Sequence, residues 1–304
     1  MAERLEKGEV RPMLADCHVH MILDGVYYRA AIDAQRDRPD EALIRSRLSG
    51  YRAAGISFLR DGGDAWGVGA FAARIAPEYG IDYRTPAFPI HKMGHYGAFI
   101  GRGYETLREY AALVAEARLA GADFIKIMIS GLMDFNRYGA ITGEALPSAE
   151  IAEMIRIAHA EGMAVMAHVN GTGSVCAAAG AGVDSVEHGA YLDEEALAAM
   201  AENNVVWTPT ISTIGNLIGE GRHPDAVLKP LFAHHAQNIR RFAAMGGKIA
   251  PGSDAGAYAV PHVRGALDEI RYLTEILGES AEATLDAGIR AIRERFSTPA
   301  GSAR

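Results

Sequence analysis

Residues 14–20 read Leu-Ala-Asp-Cys-His-Val-His, a short apolar run that ends in two histidines separated by one residue. In a β-strand, residues i and i+2 share a face, so His18 and His20 are expected to project together. Two neutral imidazoles on one face supply half of the ligands of a divalent-metal site. An isolated pair also fits solvated histidines at a strand end, so the missing ligands must come from elsewhere in the chain.

The composition is that of an ordinary globular protein. Of the 304 residues, 49% are hydrophobic and 22% are charged. The formal net charge of −8 argues against a nucleic acid or an anionic membrane as partner. Two cysteines, Cys17 and Cys176, are too few for a disulfide scaffold. Neither an apolar leader nor a membrane-length apolar run is evident, so the predicted location is cytoplasmic.

Short apolar runs alternate with longer amphipathic ones along the chain, without a linker or a low-complexity tract. This alternation is typical of βα units and a parallel sheet. The predicted strands are Met13–Asp16, Ile56–Leu59, Tyr83–Ile90, Asp123–Ser130, Ala164–His168, Asp184–Glu187, Val205–Thr208 and Lys248–Pro251. Helices are expected between them, and two further helical segments close the chain, His262–Leu277 and Ala281–Phe296.

Eight strand–helix units predict an α/β fold, a distorted (β/α)8 TIM barrel with extra C-terminal helices, forming one domain over residues 1–304. A doubly wound sheet is the alternative. That fold usually has a glycine-rich phosphate turn after its first strand, and none is seen here. Pro86 and Pro89 predict an irregular third strand, because proline cannot donate a hydrogen bond to a sheet.

Residues suited to metal binding recur at one end of the predicted barrel, the carboxyl end where barrel enzymes have their active sites. They are His18, His20, Lys126, His168, His188 and Asp254. Each has a plainer explanation when taken singly. A histidine can be hydrogen-bonded in the core, and Asp254 can cap the next helix. Their common position favours a metal site.

Lys126 lies between two isoleucines in the predicted fourth strand, where a bare ammonium would be costly to bury. Its long side chain can extend to solvent or to an acidic neighbour. Alternatively, its amine reacts with carbon dioxide to give a carbamate, an anionic oxygen ligand that can bridge two divalent ions. A nearby cation favours that anionic form.

Together these motifs resemble the amidohydrolase superfamily, metal-dependent hydrolases built on a distorted (β/α)8 barrel. The matching residues are Asp16-Cys17-His18-Val19-His20, Lys126, Ala167-His168, Glu187-His188-Gly189 and Ser253-Asp254. Residues 167–171, 183–189 and 207–210 look most like the prolidase and imidazolonepropionase branch. The resemblance implies one metal held by His18, His20, carboxylated Lys126 and Asp254, and a second held by the same carbamate, His168 and His188.

Two features depart from that branch. Many members carry a β-sandwich built from segments before and after the barrel, whereas His18 here leaves no room upstream and residues 255–304 read as helices. A barrel without the sandwich is therefore expected. The usual threonine- and asparagine-containing helix near the C-terminus is also not evident. Two zinc ions are the expected cofactors, and manganese, iron, cobalt or nickel would suit the same ligands.

The resemblance implies hydrolysis of a small-molecule amide, which is peptide-like, an N-acyl amino acid or cyclic, with Lys126 and Asp254 as catalytic residues. Asp254 is expected to act as the general base and to pass the proton to the leaving nitrogen. The alternatives are a lactonase or phosphotriesterase with the same site, a mononuclear deaminase-like site, and a metal-binding relative without catalysis. The sequence leaves the oligomeric state open, a homo-oligomer included.

Substrate contacts are expected from the loops that follow the strands. His95 and Tyr96 occupy the place where the prolidase-like branch has Gly-His-Gly, and a glycine-rich turn with incidental polar residues is the alternative. Arg137 and Tyr138, after the fourth strand, and His262, after the eighth, are further candidates for contacting a carboxylate or an amide.

Overall fold

Parallel strands form a closed ring in the computed structural model, which describes residues 14–297. The strands are β1 (Leu14–Val19), β2 (Ile56–Asp61), β3 (Asp82–Arg84), β4 (Pro89–Lys92), β5 (Arg102–Tyr104), β6 (Ile125–Met128), β7 (Val165–Val169), β8 (Ser185–His188), β9 (Val206–Thr208) and β10 (Lys248–Ile249). β3 and β4 together make the third strand of the ring, and β5 pairs with β4 outside it. Met13, predicted to begin the first strand, lies outside the described residues.

Helices surround the ring. They are α1 (Tyr28–Gln35), α2 (Glu41–Ala53), α3 (Val68–Ile75), α4 (Leu107–Leu119), α5 (Ser148–Ala160), α6 (Thr172–Gly180), α7 (Glu194–Glu202), α8 (Ser212–Gly215), α9 (Asp225–Ala244), α10 (Arg264–Leu277) and α11 (Ala281–Arg295). Short 3-10 helices cover Ala76–Tyr79 and Gly278–Ser280. Within residues 14–297, none of the helices combines the length and apolar character needed to cross a bilayer.

Backbone hydrogen bonds close the ring where the two hydrogen-bonded sheets meet. One sheet has the order β1-β2-β3, and the other runs from β10 through β9, β8, β7 and β6 to β4. The Cys17 N–H donates to the Pro251 carbonyl at 2.8 Å, which joins β1 to the segment after β10. The Asp123 N–H donates to the Thr85 carbonyl at 2.8 Å on the opposite side. The predicted (β/α)8 barrel is therefore confirmed.

The third strand of the barrel is divided, so the predicted span Tyr83–Ile90 is wrong at its middle. β3 and β4 are separated by residues 85–88. Pro86 has no N–H to donate, and Ala87 adopts a left-handed φ of 63°. The distortion expected from the prolines is confirmed, and it takes the form of a break rather than a bend.

Helix α11 closes the amino-terminal mouth of the barrel. Phe296, directly after α11, packs edge-on against Phe124 inside the barrel, with 5.2 Å between ring centroids. The Arg60 guanidinium lies 4.5 Å from the centroid of the Phe296 ring. At Gly288, a Cβ atom would approach the Ile249 carbonyl oxygen to 1.9 Å, so the helix lies against β10 only because this residue has no side chain. The predicted C-terminal helices are present, and α11 seals the barrel below the site.

Candidate metal centre

His18, His20 and Asp254 bring three donor atoms together at the carboxyl end of the barrel. Asp254 Oδ1 lies 3.4 Å from His18 Nε2 and 3.3 Å from His20 Nε2. The two imidazole centroids are 5.3 Å apart, as expected from residues on one strand face. Asp254 follows β10, and closure of the ring makes β10 the neighbour of β1. The fold thus joins candidate ligands from the first and the last strand.

His168 and His188 extend this cluster from β7 and β8. The His188 ring centroid lies 4.5 Å from that of His168 and 5.1 Å from that of His18. Nε2 of His168 donates to the Gly131 carbonyl at 3.1 Å. Nδ1 of His188 is hydrogen-bonded to the Thr210 hydroxyl at 2.8 Å. In each ring the bond to the protein involves one nitrogen, and that bond orients the opposite nitrogen.

Lys126 lies in β6 with its side chain inside the barrel and only 1% of the residue exposed. Among the described residues, its Nζ has no hydrogen-bond partner, and neither has His18 Nε2 or His20 Nδ1. Burial lowers the pKa of Lys126 to about 8, and the nearby Glu187 carboxylate opposes that shift. The side chain therefore does not extend to solvent, which the sequence had left open.

The chemistry of this donor set fits a divalent metal. Unsatisfied buried polar atoms cost free energy, so His18 Nε2, which faces the Asp254 carboxylate, and the buried Lys126 Nζ need an explanation. Burial lowers the pKa of His18 well below its ordinary value and that of His20 to about 3, so both rings are neutral. Burial raises the pKa of Asp254 to about 7, and Lys126 opposes this. Neutral imidazoles and a carboxylate are ligands of zinc and related ions.

A buried ion pair behind His18 was not identified from the sequence. His18 Nδ1 is bonded to Glu187 Oε2 at 2.9 Å, and Arg60 Nη2 donates to the two Glu187 oxygens at 2.8 and 3.0 Å. Arg60 also donates to the Ser185 hydroxyl at 2.8 Å. Both charged side chains are completely buried. A signal was present, because Arg60 directly follows the apolar pair Phe58-Leu59 of the second strand.

Two candidate ligands have a left-handed backbone, with φ of 66° at His188 and 60° at Asp254. Residues other than glycine seldom adopt such angles, and surrounding structure must hold them there. In a regular strand the adjacent Glu187 and His188 would face opposite sides. The left-handed turn at His188 lets both side chains reach the barrel interior. This geometry leaves no periodic signal in the sequence.

Of the residues predicted to contact substrate, Tyr96 packs directly on the cluster. Its ring centroid lies 4.6 Å from that of His168, with an interplanar angle of 31°. The neighbouring His95 is turned differently, since its Nδ1 is hydrogen-bonded to the Glu144 carbonyl at 3.0 Å. The fold therefore brings Tyr96 to the edge of the candidate metal centre and holds His95 against the loop after β6.

The remaining predicted substrate residues have other surroundings. Arg137 and Tyr138 lie on the exposed surface of the loop after β6, where Tyr138 is 48% exposed. His262 is bonded through Nδ1 to the Tyr51 hydroxyl at 3.1 Å and through Nε2 to the Leu23 carbonyl at 3.0 Å. Because both ring nitrogens are engaged within the protein, this geometry favours a structural role for His262.

Two known proteins are similar to this chain in amino-acid sequence. A Mycobacterium tuberculosis protein named only as uncharacterized is 31% identical over 151 residues, which is 48% of this chain and 40% of that protein. Ochratoxinase from Aspergillus niger is 26% identical over 281 residues, covering 80% of this chain and 57% of the enzyme. This chain thus spans only about half of the length of these relatives.

Solved structures of known proteins align with the barrel of this chain. The A. niger ochratoxinase structure aligns with a TM-score of 0.78 at 21% identity, over 94% of this chain and 71% of that one. A Xaa-Pro dipeptidase structure with bound methionine aligns with a TM-score of 0.74 at 22% identity, over 96% of this chain and 78% of that one. The barrel is therefore shared with proteins of the prolidase kind.

The family assignment itself depends on sequence. Residues 53–290 match the amidohydrolase family. The matched range covers most of the chain and includes Lys126, His168, His188 and Asp254, whereas the two histidines of β1 precede it. This chain belongs to the amidohydrolase family.

Proposed function

We propose that this chain is a metal-dependent hydrolase that cleaves the C–N bond of a small amide, which is peptide-like, an N-acyl amino acid or cyclic. The observation that carries the proposal is the convergence of His18, His20 and Asp254 beside the buried Lys126. Membership of the amidohydrolase family supports it, because these proteins generally depend on metals. The name of one structural neighbour, a Xaa-Pro dipeptidase, agrees with amide cleavage.

The proposed centre is binuclear. One ion would be held by His18, His20 and Asp254, a second by His168 and His188, and carboxylated Lys126 would bridge them. Carboxylation joins the neutral amine nitrogen to the carbon of carbon dioxide and releases one proton, which leaves a carbamate anion. The carbamate would place anionic oxygen where Lys126 Nζ is buried without a hydrogen-bond partner among residues 14–297. Such ions, zinc being the expected one, polarise a carbonyl and lower the pKa of a water.

Asp254 carries the proton in the proposed reaction. Its Oδ1 faces His18 and His20, so Oδ2 is the oxygen assigned to proton transfer. Hydrolysis adds the hydroxyl of water to the carbonyl carbon and breaks the C–N bond. Asp254 takes the proton that the water loses and delivers it to the leaving nitrogen. Tyr96, packed on His168, would help to position the substrate at the edge of the cluster.

Asp254→Asn tests the proposed proton transfer, because an amide cannot accept the proton. We expect turnover to fall by about 10²- to 10⁴-fold, while elemental analysis finds most of the metal retained. Asp286→Asn on α11 is the matched control and should change neither quantity. Robust amide hydrolysis by Asp254→Asn would contradict the assignment. A wild-type protein that hydrolyses lactones or phosphotriesters but no amides would overturn the substrate class.

Lys126→Met tests the carbamate with a readout other than activity. The substitution keeps an unbranched apolar stem but removes the amine. We expect wild-type protein to give a carbamate resonance with carbon-13-labelled bicarbonate and to bind more metal when bicarbonate is present, and the variant to do neither. Fewer than one metal ion per chain in the wild type, with and without bicarbonate, would instead favour a metal-binding protein without catalysis.

A further inference from the structure

A cleft of about 400 Å³ opens on the same end of the barrel as the candidate metal centre, and its volume is within the size range of small-molecule sites. Its walls come from three neighbouring segments at the carboxyl end of the barrel. Tyr28 begins α1, Trp66 lies between β2 and α3, and Phe99 lies between β4 and β5. All three segments follow strands of the ring, which is where barrel proteins bind their ligands.

A continuous series of aromatic rings connects this cleft to the metal centre. The Tyr28 ring meets Phe99 edge-on at 5.4 Å between centroids. Phe99 lies 5.6 Å from Tyr96, and Tyr96 lies 4.6 Å from the His168 imidazole. These separations are typical of rings in contact. The cleft is therefore linked to the candidate ligand His168 through two ring contacts, Phe99 with Tyr96 and Tyr96 with His168.

The rings of the cleft keep accessible surface, unlike aromatic residues of the core. Tyr28 is 39% exposed, whereas Tyr51 on α2 is completely buried. Two arginine side chains at the rim hold the rings in position. Arg29 Nε donates to the Tyr28 hydroxyl at 3.0 Å, and the Arg36 guanidinium lies 5.4 Å from the centroid of the Trp66 ring. The charged side chains of Arg29, Asp33 and Arg36 also line the cleft, so the surface offered to a ligand combines aromatic faces and edges with polar groups.

We propose that Tyr28, Trp66 and Phe99, here called the aromatic cleft, together with the adjacent Tyr96 bind an aromatic group of the substrate on the His168 side of the scissile bond. The assignment deepens the proposed amide hydrolysis and rests on it for the identity of the reacting group. Ring faces and edges attract another aromatic ring more strongly than an aliphatic group of equal size, because their charge distributions are complementary. The preferred substrates are therefore amides with an aryl or arylalkyl arm.

Tryptophan fluorescence tests the cleft without measuring turnover. The chain has two tryptophans, and Trp207 is completely buried whereas Trp66 lines the cleft. Metal-loaded protein is titrated with phenylacetamide and with cyclohexylacetamide. We expect phenylacetamide to change the emission and to bind about 5- to 10-fold more tightly. In Trp66→Phe the emission change should disappear. Equal affinities, or a change that persists in Trp66→Phe, would overturn the assignment.

Kinetics supply a second, independent measurement. Phe99→Leu removes a ring but keeps apolar volume, so we expect KM for an arylalkyl amide to rise about 5- to 10-fold, with a smaller change in kcat. Tyr258→Leu, a partly exposed tyrosine after β10 that does not line the cleft, should leave this preference unchanged. If Phe99→Leu does not fold, Tyr28→Leu at the exposed rim takes its place.

The two proposals fail in different ways. If no amide is hydrolysed but phenylacetamide still binds preferentially through Trp66, the proposed reaction is wrong and the aromatic cleft stands. If amides are hydrolysed with no preference for aryl over alkyl arms, and Phe99→Leu changes nothing, the cleft is wrong and the reaction stands.

Discussion

The chemistry available at His18 is set by a carboxylate on the far side of its ring. Glu187 accepts from His18 Nδ1, so the proton resides there and the lone pair of Nε2 is directed toward Asp254. Glu187 can be buried because Arg60 neutralises it through two hydrogen bonds. The pair therefore acts on the candidate metal centre through His18, as positioning residues.

Glu187→Gln tests this positioning role. The amide keeps the shape of the side chain but removes the charge that holds the His18 proton on Nδ1. We expect metal affinity, measured by competition with a chelator, to fall about 10- to 100-fold. We also expect a lower Tm, because Arg60 loses its buried counter-charge.

The matched control is Glu194→Gln on the exposed first turn of α7, close to Glu187 in the sequence. It should leave both metal affinity and Tm close to the wild-type values. An unchanged affinity in Glu187→Gln would show that His18 is oriented without the carboxylate.

Among the elements, α11 has an unusual position, because it covers the end of the barrel rather than one of its sides. Ile289, Ile292 and Phe296 pack with barrel residues such as Phe124 and Met166 in one apolar cluster. The helix lies close to the β10 backbone at Gly288. The amino-terminal end of the barrel is thereby filled with apolar side chains, and the Arg60 guanidinium packs on them at the Phe296 ring.

Gly288→Ala tests the close approach of α11 to the barrel. The added Cβ would meet the Ile249 carbonyl, so the helix must shift, and we expect a loss of about 1–3 kcal/mol in the free energy of unfolding. The control is Gly173→Ala in α6, where a Cβ would meet no atom of the described part of the chain within 4 Å. It should be neutral or stabilising by up to about 1 kcal/mol. Similar urea midpoints for the two variants would contradict this packing.

At the scale of the whole molecule, buried carboxyl groups couple folding to pH. Glu269 on α10 is completely buried and accepts from the Ile211 and Ser212 N–H groups at 3.2 and 2.7 Å. Burial raises its pKa to about 8, the two N–H groups oppose the shift, and Asp16 adds to it. Between the unfolded pKa of about 4.3 and the folded value, the folded state holds a proton that the unfolded state has released. Stability is therefore lost as the pH rises through this window.

Glu269→Gln removes this titration. We expect the free energy of unfolding, measured by urea denaturation from about pH 5 to 8, to fall less steeply than in the wild type, by up to about 1.4 kcal/mol per pH unit. Part of the slope should remain, because burial also raises the pKa of Asp16 and Asp61 to about 7. Glu275→Gln, exposed on the same helix, should keep the wild-type slope. Equal slopes in both variants would refute the role of Glu269.

Local patterns in the sequence were sufficient to predict much of the fold of this protein. The alternation of short apolar and longer amphipathic runs predicted the barrel, because strand and helix periodicities are read over a few neighbouring residues. The prolines predicted an irregular third strand, although not its complete break at residues 85–88. Candidate ligands were found because strand ends of a parallel barrel meet at one end. Their assignment to two metal ions stays a prediction.

Contacts between distant residues were decided by the tertiary structure alone. His18 and Glu187 are 169 positions apart, and Arg60 and Glu187 are 127 apart, so no local period relates them. The left-handed φ at His188 and the seal formed by α11 likewise depend on neighbours from other parts of the chain. The sequence by itself determined which strands carry the polar residues. Only closure of the ring decided which of those residues face one another, because hydrogen bonding and packing act through space rather than along the chain.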